Sequence, residues 1–369
     1  MLINTETKSG GLGPDPGEAE EVAREDFGLA SPRACPLSGG RVNVTFRVES
    51  GGETFILQRL SPFFQEDEAL GLNWHRVAES LAERAAPALV PPIFPDRQGR
   101  WLALRPGRGA WRLTGFRPGR PVAKNPAGAR AAARALGGLH RSLNRPAPIP
   151  VLPLPEGEFT NRRLASLEEL EAWPDRYRGH PHWPALQPLW EKMSAAARDL
   201  PFHPGFLDVF RLEEVIVHGD PKADNFLADE AGAVSAVLDW DTVGLGHVLA
   251  EVGDMLRSFG AAAETGEDLA SASAVVEGYA ETGLDLTEAE VALLPAVWRA
   301  LALNLGRRYL ADALAEAYFL WDGQNYPSLY EQNRQRGAAL MALADRLLAR
   351  EMELIELFQK AVSLGGGKR

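Results

Sequence analysis

His218-Gly219-Asp220-Pro221-Lys222-Ala223-Asp224-Asn225, followed by Leu238-Asp239-Trp240-Asp241, is the stretch on which the reading of this chain turns. Val215-Ile216-Val217 before it and Val234 to Leu238 after it predict short apolar strands, with Asp229-Glu230-Ala231-Gly232 as the turn between them. The acidic residues then stand at strand ends around a compact hairpin. An Asp in that place can accept or orient the proton of an attacking hydroxyl, while an Asn and a second Asp offer the hard oxygen ligands that magnesium prefers. Such a layout suits phosphoryl transfer, in which the protein mainly positions the reactants and neutralises charge. Asp220 is the candidate base, and Asn225 and Asp239 are the candidate magnesium ligands. Asp and Asn alone also serve as turn formers in polar loops; the flanking strands favour the chemical reading. His218 is expected to hydrogen-bond the loop backbone, and Asp241 either orients the turn or contacts metal.

Working outward, Pro36 to Val48 reads as a glycine turn leading into a strand. Gly51-Gly52 predicts a hairpin turn, Thr54 to Leu60 the next strand, and Glu66 to Ala85 a helix. A glycine loop, hairpin, basic strand residue and acidic helix make up the nucleotide-binding half of a kinase. Gly39 and Gly40 would let backbone N–H groups approach the triphosphate of ATP, although a plain hairpin turn reads equally well there. Arg59 would replace the usual strand lysine, in a chain with six lysines among 39 basic residues; Gln58, on the opposite strand face, is the second choice. Trp101 to Arg120 holds another strand pair, and Gly119-Arg120-Pro121 breaks regularity where an interlobe hinge would lie. Trp101 to Arg145 carries nine arginines, one lysine and no acid, either a phosphate-attracting patch or a solvated helix face.

The chain has 369 residues, 45% of them apolar, enough for a large core and two lobes. A formal charge of -11 argues against nucleic acid or an anionic membrane as partner. No apolar run reaches transmembrane length, and the acidic N-terminus lacks a signal peptide's basic and apolar regions, so a cytoplasmic location is expected. Cys35 has no second cysteine with which to pair. The residues specify no oligomeric state. Helical spacing marks Leu167 to Ala172, Leu186 to Asp199, Ala270 to Thr282, Glu288 to Leu314 and Leu329 to Val362. Asp254 and Arg257, three apart on a helix, are placed to pair with each other.

The HGDPKADN and LDWD segments resemble the phosphotransferase superfamily of aminoglycoside phosphotransferases, choline kinases and homoserine kinases. The resemblance narrows to N-acetylhexosamine 1-kinases through Ser38 to Asn43, Phe55 to Leu60, Phe64, Glu68-Ala69-Leu70, Leu238 to Val243, Gly253 to Arg257 and Asn304 to Asp312. It implies an α+β, protein-kinase-like two-lobe fold, with a small N-terminal antiparallel-sheet lobe and a larger, mainly helical C-terminal lobe. The expected divisions are a flexible 1–20, a nucleotide-binding lobe 21–116, a catalytic and substrate lobe 117–362 and a flexible tail 363–369. It also implies ATP and Mg²⁺ as cofactors, Asp220 as base, Asn225 and Asp239 as metal ligands and Arg308 as a sugar contact, with Asp312 beside it in the acceptor pocket. The chain departs from those sugar kinases at Arg41, where they have a histidine near the sugar, and at Gly219, where they have an asparagine. A guanidinium at Arg41 favours an acceptor with more negative charge or different hydroxyl placement. The alternatives are an aminoglycoside or amino-alcohol kinase, whose cationic acceptors need an acidic, aromatic pocket, and a nucleotide-binding pseudokinase with a regulatory role.

Overall fold

The computed structural model describes residues 15–37, 43–61, 68–84, 89–153, 173–200, 214–260 and 263–366. Its contacts divide the chain into two compact units, Met1–Gly71 with Pro92–Phe116, and Leu72–Pro91 with Arg117–Arg369. The architecture is α+β.

The first unit is built on an antiparallel sheet of β1 (Arg33–Leu37), β2 (Val44–Ser50), β3 (Glu53–Arg59), β4 (Ile93–Phe94), β5 (Ala103–Arg105) and β6 (Gly109–Gly115). Their order is β1-β2-β3-β6-β4, with β5 on β6. Gly51 and Gly52, at φ 60° and 84°, close the β2–β3 hairpin in the left-handed conformation that such tight turns demand. Strand alternation puts Phe46, Val48, Phe55, Leu57, Trp111 and Leu113 into one core, completed by Ala19, Val22 and Ala23 of α1 (Pro16–Glu25). Helix α1 starts inside the segment read as flexible, because Asp15 caps it through Gly17 N–H (2.9 Å) and Pro16 opens its first turn. Its acidic edge takes up two of the clustered arginines: Arg105 binds Glu21 (2.6 Å), Glu25 (2.8 Å) and Asp26 (2.6 Å), and Arg108 binds Glu21 (3.0 Å).

The second unit is mainly helical. Residues 72–91, read from sequence with the first lobe, cluster here because Asn73 exchanges two hydrogen bonds with the backbone of Leu152 (2.9 and 2.7 Å) and Val237 N–H reaches Leu89 O (2.6 Å). Helix α2 (Glu68–Glu83) is followed in chain order by α3 (Pro126–Asn144), α4 (Trp173–Tyr177), α5 (Trp183–Arg198), α6 (Val248–Phe259), α7 (Gly266–Thr282), α8 (Glu288–Ala315), α9 (Leu329–Ala349) and α10 (Glu351–Gly366). More of the clustered arginines knit α3 to α7: Arg134 meets Glu281 (2.9 Å) and Arg130 meets Glu277 (3.0 Å). At these positions the arginines form ion pairs on a solvated face, Arg134 keeping 58% and Arg108 51% of its side chain exposed. Helix α8 is long and apolar enough to cross a membrane, yet 72% of its most apolar window is buried within the protein.

Three expectations shift in this unit. The single helix read over Leu329 to Val362 breaks at Arg350 into α9 and α10, with the Arg350 guanidinium holding Ala263 O (2.9 Å) and Glu353 (2.8 Å). No glycine or proline marks that break. The tail read as flexible from 363 stays helical to Gly366, since Gly365 lies so near α7 that a Cβ there would stand 2.5 Å from Glu277 O. Arg120–Pro121, read as irregular, form β7 and pair antiparallel with Leu227 and Ala228. The helix read at Leu167 to Ala172 lies outside the described residues.

Candidate active site

Strand β8 (Val215–Val217) is buried at every position and pairs antiparallel with β11 (Gly244–Gly246). On its other edge the Asn144 side chain substitutes for a strand, donating to Ile216 O (2.9 Å) and accepting from Ile216 N–H (2.8 Å). The chain then enters the loop His218–Lys222 and a 3-10 turn at Ala223–Asn225. It continues through the hairpin of β9 (Phe226–Ala228) and β10 (Val234–Val237), closed by Asp229 accepting from Ala231 and Ala233 (both 2.9 Å). Asp239 follows in the left-handed region (φ 65°, ψ 62°), which turns the backbone sharply just after the strand.

A buried set of polar contacts fixes this loop. His218 Nε2 donates to Leu238 O (2.9 Å), so Nδ1 carries the lone pair that accepts from Asp220 N–H (3.2 Å). The imidazole therefore holds loop backbone, as read from sequence. Glu251, 1% exposed in the first turn of α6, accepts from the N–H groups of His218 and Gly219 (both 2.9 Å). It also meets His140 Nε2 (3.3 Å), whose Nδ1 contacts Tyr279 Oη (2.9 Å). Gly219 sits at φ 93°, and a Cβ there would stand 2.4 Å from Thr242 O, so any side chain forces the turn to move.

Within this frame Asp220, Lys222, Asn225 and Asp239 come together. Asn225 Nδ2 donates to Asp220 O (2.8 Å) and Oδ2 (3.2 Å), which turns its Oδ1 to the other side as an acceptor. Lys222 Nζ pairs with Asp220 and lies 3.6 Å from Asp239 Oδ2. Burial pushes the Asp220 carboxyl above the ordinary carboxylate range, Lys222 opposing the rise and Asp239 adding to it, although 26% of the side chain still meets solvent. Burial works against the Lys222 ammonium, but Asp220 and Asp239 outweigh it and hold the charge. Asp239 is 34% exposed at its side chain, whereas Asp241 is buried in the turn. Oxygen donors from Asn225 and Asp239 fit a hard divalent cation that keeps water and phosphate as its other ligands. Among the described residues no group of three or more His, Cys, Asp or Glu side chains could hold a metal by itself.

Beyond this cluster, Arg257 donates to Asp254 (2.6 Å), the pairing expected from their spacing. Arg308 is buried, and both that burial and the neighbouring Arg257 hold its guanidinium below the usual arginine value, with Tyr318 opposing. Tyr318 in turn feels the charges of Arg308, Asp220, Lys222 and Asp239. Asp312 departs from expectation. It is buried, and its two oxygens accept from the N–H groups of Ala317 (2.9 Å), Tyr318 (2.7 Å) and Phe319 (3.0 Å) and from Asn333 Nδ2 (3.0 Å). Four donors occupy the carboxylate, so it clamps a loop and does not line a pocket.

In the first unit Arg59 meets Glu18 of α1 (3.3 Å) and lies over the Trp111 ring (5.8 Å). On the opposite sheet face the amide of Gln58 accepts from the buried Arg112 guanidinium (2.6 Å) and donates to Thr45 (3.3 Å). Gly39, Gly40 and Arg41 lie outside the described residues. Sequence reading passed over Lys222, whose signal was its place two residues after Asp220. It also passed over Glu251, His140, Asn144 and Tyr318, whose partners are brought in by the fold from distant segments.

The sequence model of the phosphotransferase enzyme family matches residues 33–285. Among solved structures, a microcompartment-associated aminopropanol kinase is similar at 17% identity, covering 91% of this chain and 98% of its own, with a TM-score of 0.62. Amicoumacin kinase hAmiN, in complex with AMP-PNP, Ca²⁺ and Ami, is similar at 14% identity, 90% and 94% coverage and a TM-score of 0.59. An aminoglycoside phosphotransferase from Alicyclobacillus acidocaldarius gives 13%, 95%, 99% and 0.56. At these identities the likeness is one of fold.

Proposed function

We propose a specific reaction for this chain, which belongs to the phosphotransferase enzyme family: transfer of the γ-phosphoryl group of ATP to a hydroxyl of a small molecule, best a sugar such as an N-acetylhexosamine at its anomeric position. The observation that carries this proposal is the convergence of Asp220, Lys222 and Asn225, on one hydrogen-bonded loop, with Asp239 at the end of the hairpin that follows it. The acceptor oxygen attacks the γ-phosphorus, the bond from that phosphorus to the bridging oxygen breaks, ADP leaves, and the hydroxyl proton passes to Asp220. Asn225 and Asp239 would hold Mg²⁺, which when bound draws phosphate charge toward itself. Lys222 keeps positive charge beside the base, at the place where the transferred group acquires charge. Arg59 and the Gly39-Gly40 loop are assigned to the phosphates, and Arg41 and Arg308 to the acceptor. A sugar is favoured over an amino alcohol because Arg257, within electrostatic reach of Asp220, and the neighbouring Arg308 are cations that repel an ammonium group.

ATP consumption measured with N-acetylglucosamine, glucose, kanamycin, 1-amino-2-propanol and ethanolamine tests this. The sugar should accelerate turnover most, and Asp220→Asn should lower it by about 10²- to 10⁴-fold. Preference for an amino alcohol would replace the sugar assignment. Nucleotide binding with no acceptor-stimulated turnover would leave a regulatory pseudokinase, and undiminished turnover in Asp220→Asn would remove the base assignment.

A further inference from the structure

Lys222 is held to the loop by its backbone: its N–H donates to Asp220 O (2.8 Å), and its carbonyl accepts from Asn225 N–H (2.9 Å). The four-carbon stem beyond that anchor can still pivot. Its ammonium reaches two carboxylates on unequal terms. With Asp220 Oδ2 it makes a hydrogen-bonded ion pair. From Asp239 Oδ2 it stands 3.6 Å away, beyond hydrogen-bond range, so the attraction there is one of charge alone. Asp220 Oδ2 also keeps a second donor, Asn225 Nδ2 at 3.2 Å. All three charged side chains meet solvent, Lys222 at 27%, Asp220 at 26% and Asp239 at 34% exposure, so an ion from solution can reach them.

We propose that Lys222 competes with the divalent cation for Asp239: its ammonium balances that carboxylate in the free protein and turns away from it, still bonded to Asp220, when the cation binds with nucleotide. This rests on the kinase reading given above. Two cations at one carboxylate repel, and at an effective dielectric constant of about 20 the repulsion across a few ångströms is strong. The arm to Asp239 is the one that yields, because releasing it breaks no hydrogen bond whereas the arm to Asp220 has one. Nucleotide phosphates reverse the balance. They bring negative charge for the cation and give the displaced ammonium a new partner. Lys222 thereby makes tight metal binding wait for nucleotide. A compact charge on a flexible stem suits that exchange better than a planar guanidinium, in a chain where only six of 39 basic residues are lysine.

Binding of Mn²⁺ to the full chain, followed by electron paramagnetic resonance of the unbound ion, tests the competition without turnover. Lys222→Gln removes the charge and keeps a donor for Asp220; Lys222→Met is measured beside it, so that one variant decides if thermal unfolding shows the other to be misfolded. In the absence of nucleotide the Kd for Mn²⁺ should fall roughly 10- to 100-fold in these variants. AMP-PNP should then tighten Mn²⁺ binding by a larger factor in wild type than in either variant. Lys124→Met is the charge control: Lys124 pairs with Asp224 of the same turn (3.2 Å) and should change the Kd by no more than about twofold. Adding Asp239→Ala to Lys222→Gln should abolish the gain. A Kd unchanged in the Lys222 variants, a gain equalled by Lys124→Met, or one that survives Asp239→Ala overturns the competition and leaves the kinase reading standing. Wild type that binds Mn²⁺ neither alone nor with AMP-PNP sinks the kinase reading itself, and the role of Lys222 with it.

Discussion

Two irregular loops in the helical unit, residues 218–225 and 316–319, are held by the same device. In each a buried carboxylate accepts from successive backbone N–H groups: Glu251 from His218 and Gly219, Asp312 from Ala317, Tyr318 and Phe319. A buried carboxylate is costly alone, but ordered N–H donors replace its hydration, and the loop in turn gains a fixed shape. The two differ in where the clamp comes from. Asp312 grips residues just beyond the end of its own helix, so its loop is a local structure. Glu251 reaches back from another helix and shares His140 of α3 and, through it, Tyr279 of α7. The 218–225 loop is thus tied to the packing of three helices, whereas the 316–319 loop is tied chiefly to one helix end and braced by Asn333.

That difference should appear first in Glu251→Gln. An amide offers one accepting oxygen where two N–H donors and an imidazole need to be met, so one buried donor loses its partner, at a cost of about 2–3 kcal/mol in stability. Displacing Asp220 by about 1 Å is expected to lower kcat by about 100-fold, with smaller changes in both KM values. Denaturant unfolding and steady-state kinetics together measure this. If stability falls while kcat holds, the clamp is merely structural and the two loops are functionally alike.

The division between local and distant partners also explains what the sequence made legible. Asp220, Asn225 and Asp239 were readable because a strand, a tight loop and a strand place residues close in sequence close in space. The turn at Asp229 to Gly232 and the Asp254–Arg257 pair are local in the same way. Glu251, by contrast, looks in sequence like an acid in the first turn of a helix, which the helix dipole alone explains. Nothing in residue 144 announces contact with a strand more than seventy positions later, and nothing in residue 140 announces its partners Glu251 and Tyr279 on later helices; only the packing of α3 does that. Asp312 was misread as lining the acceptor pocket, because its neighbour Arg308 drew attention to the helix face and the turn after Ala315 had no glycine to announce it. Arg350 broke a long helix for the same reason, without the residue types that usually signal a break.

A smaller effect is expected from Asp312→Asn. The amide must turn an N–H toward a backbone N–H or lose Asn333, weakening the loop by about 1–2 kcal/mol. The change should reach the acceptor and not the chemistry: the acceptor KM rises several-fold, about the worth of one hydrogen bond, while kcat at saturation and the KM for ATP stay near wild type. Equal losses in kcat for Asp312→Asn and Glu251→Gln would show that the two loops act as one unit.

The smallest effect separates the loops by pH. Asp220 must be ionised to receive a proton, and burial, with Asp239 adding to it, raises its carboxyl above the ordinary range near pH 3.9. Because the raised value belongs to the working protein, activity is complete above it and declines as pH falls through it. The acid limb of kcat/KM should therefore lie on the high side of an ordinary aspartate. Lys222 is the main influence opposing that rise, so Lys222→Met, although slower overall, should move the limb further up. Asp312→Asn should leave the limb where it is, since that carboxylate is engaged with backbone N–H groups of the other loop. Rate profiles of the three proteins between about pH 4 and 9 would decide it. A limb that moves in Asp312→Asn, or one that stays fixed in Lys222→Met, would mean that the group titrating in turnover is not the carboxylate held beside Lys222.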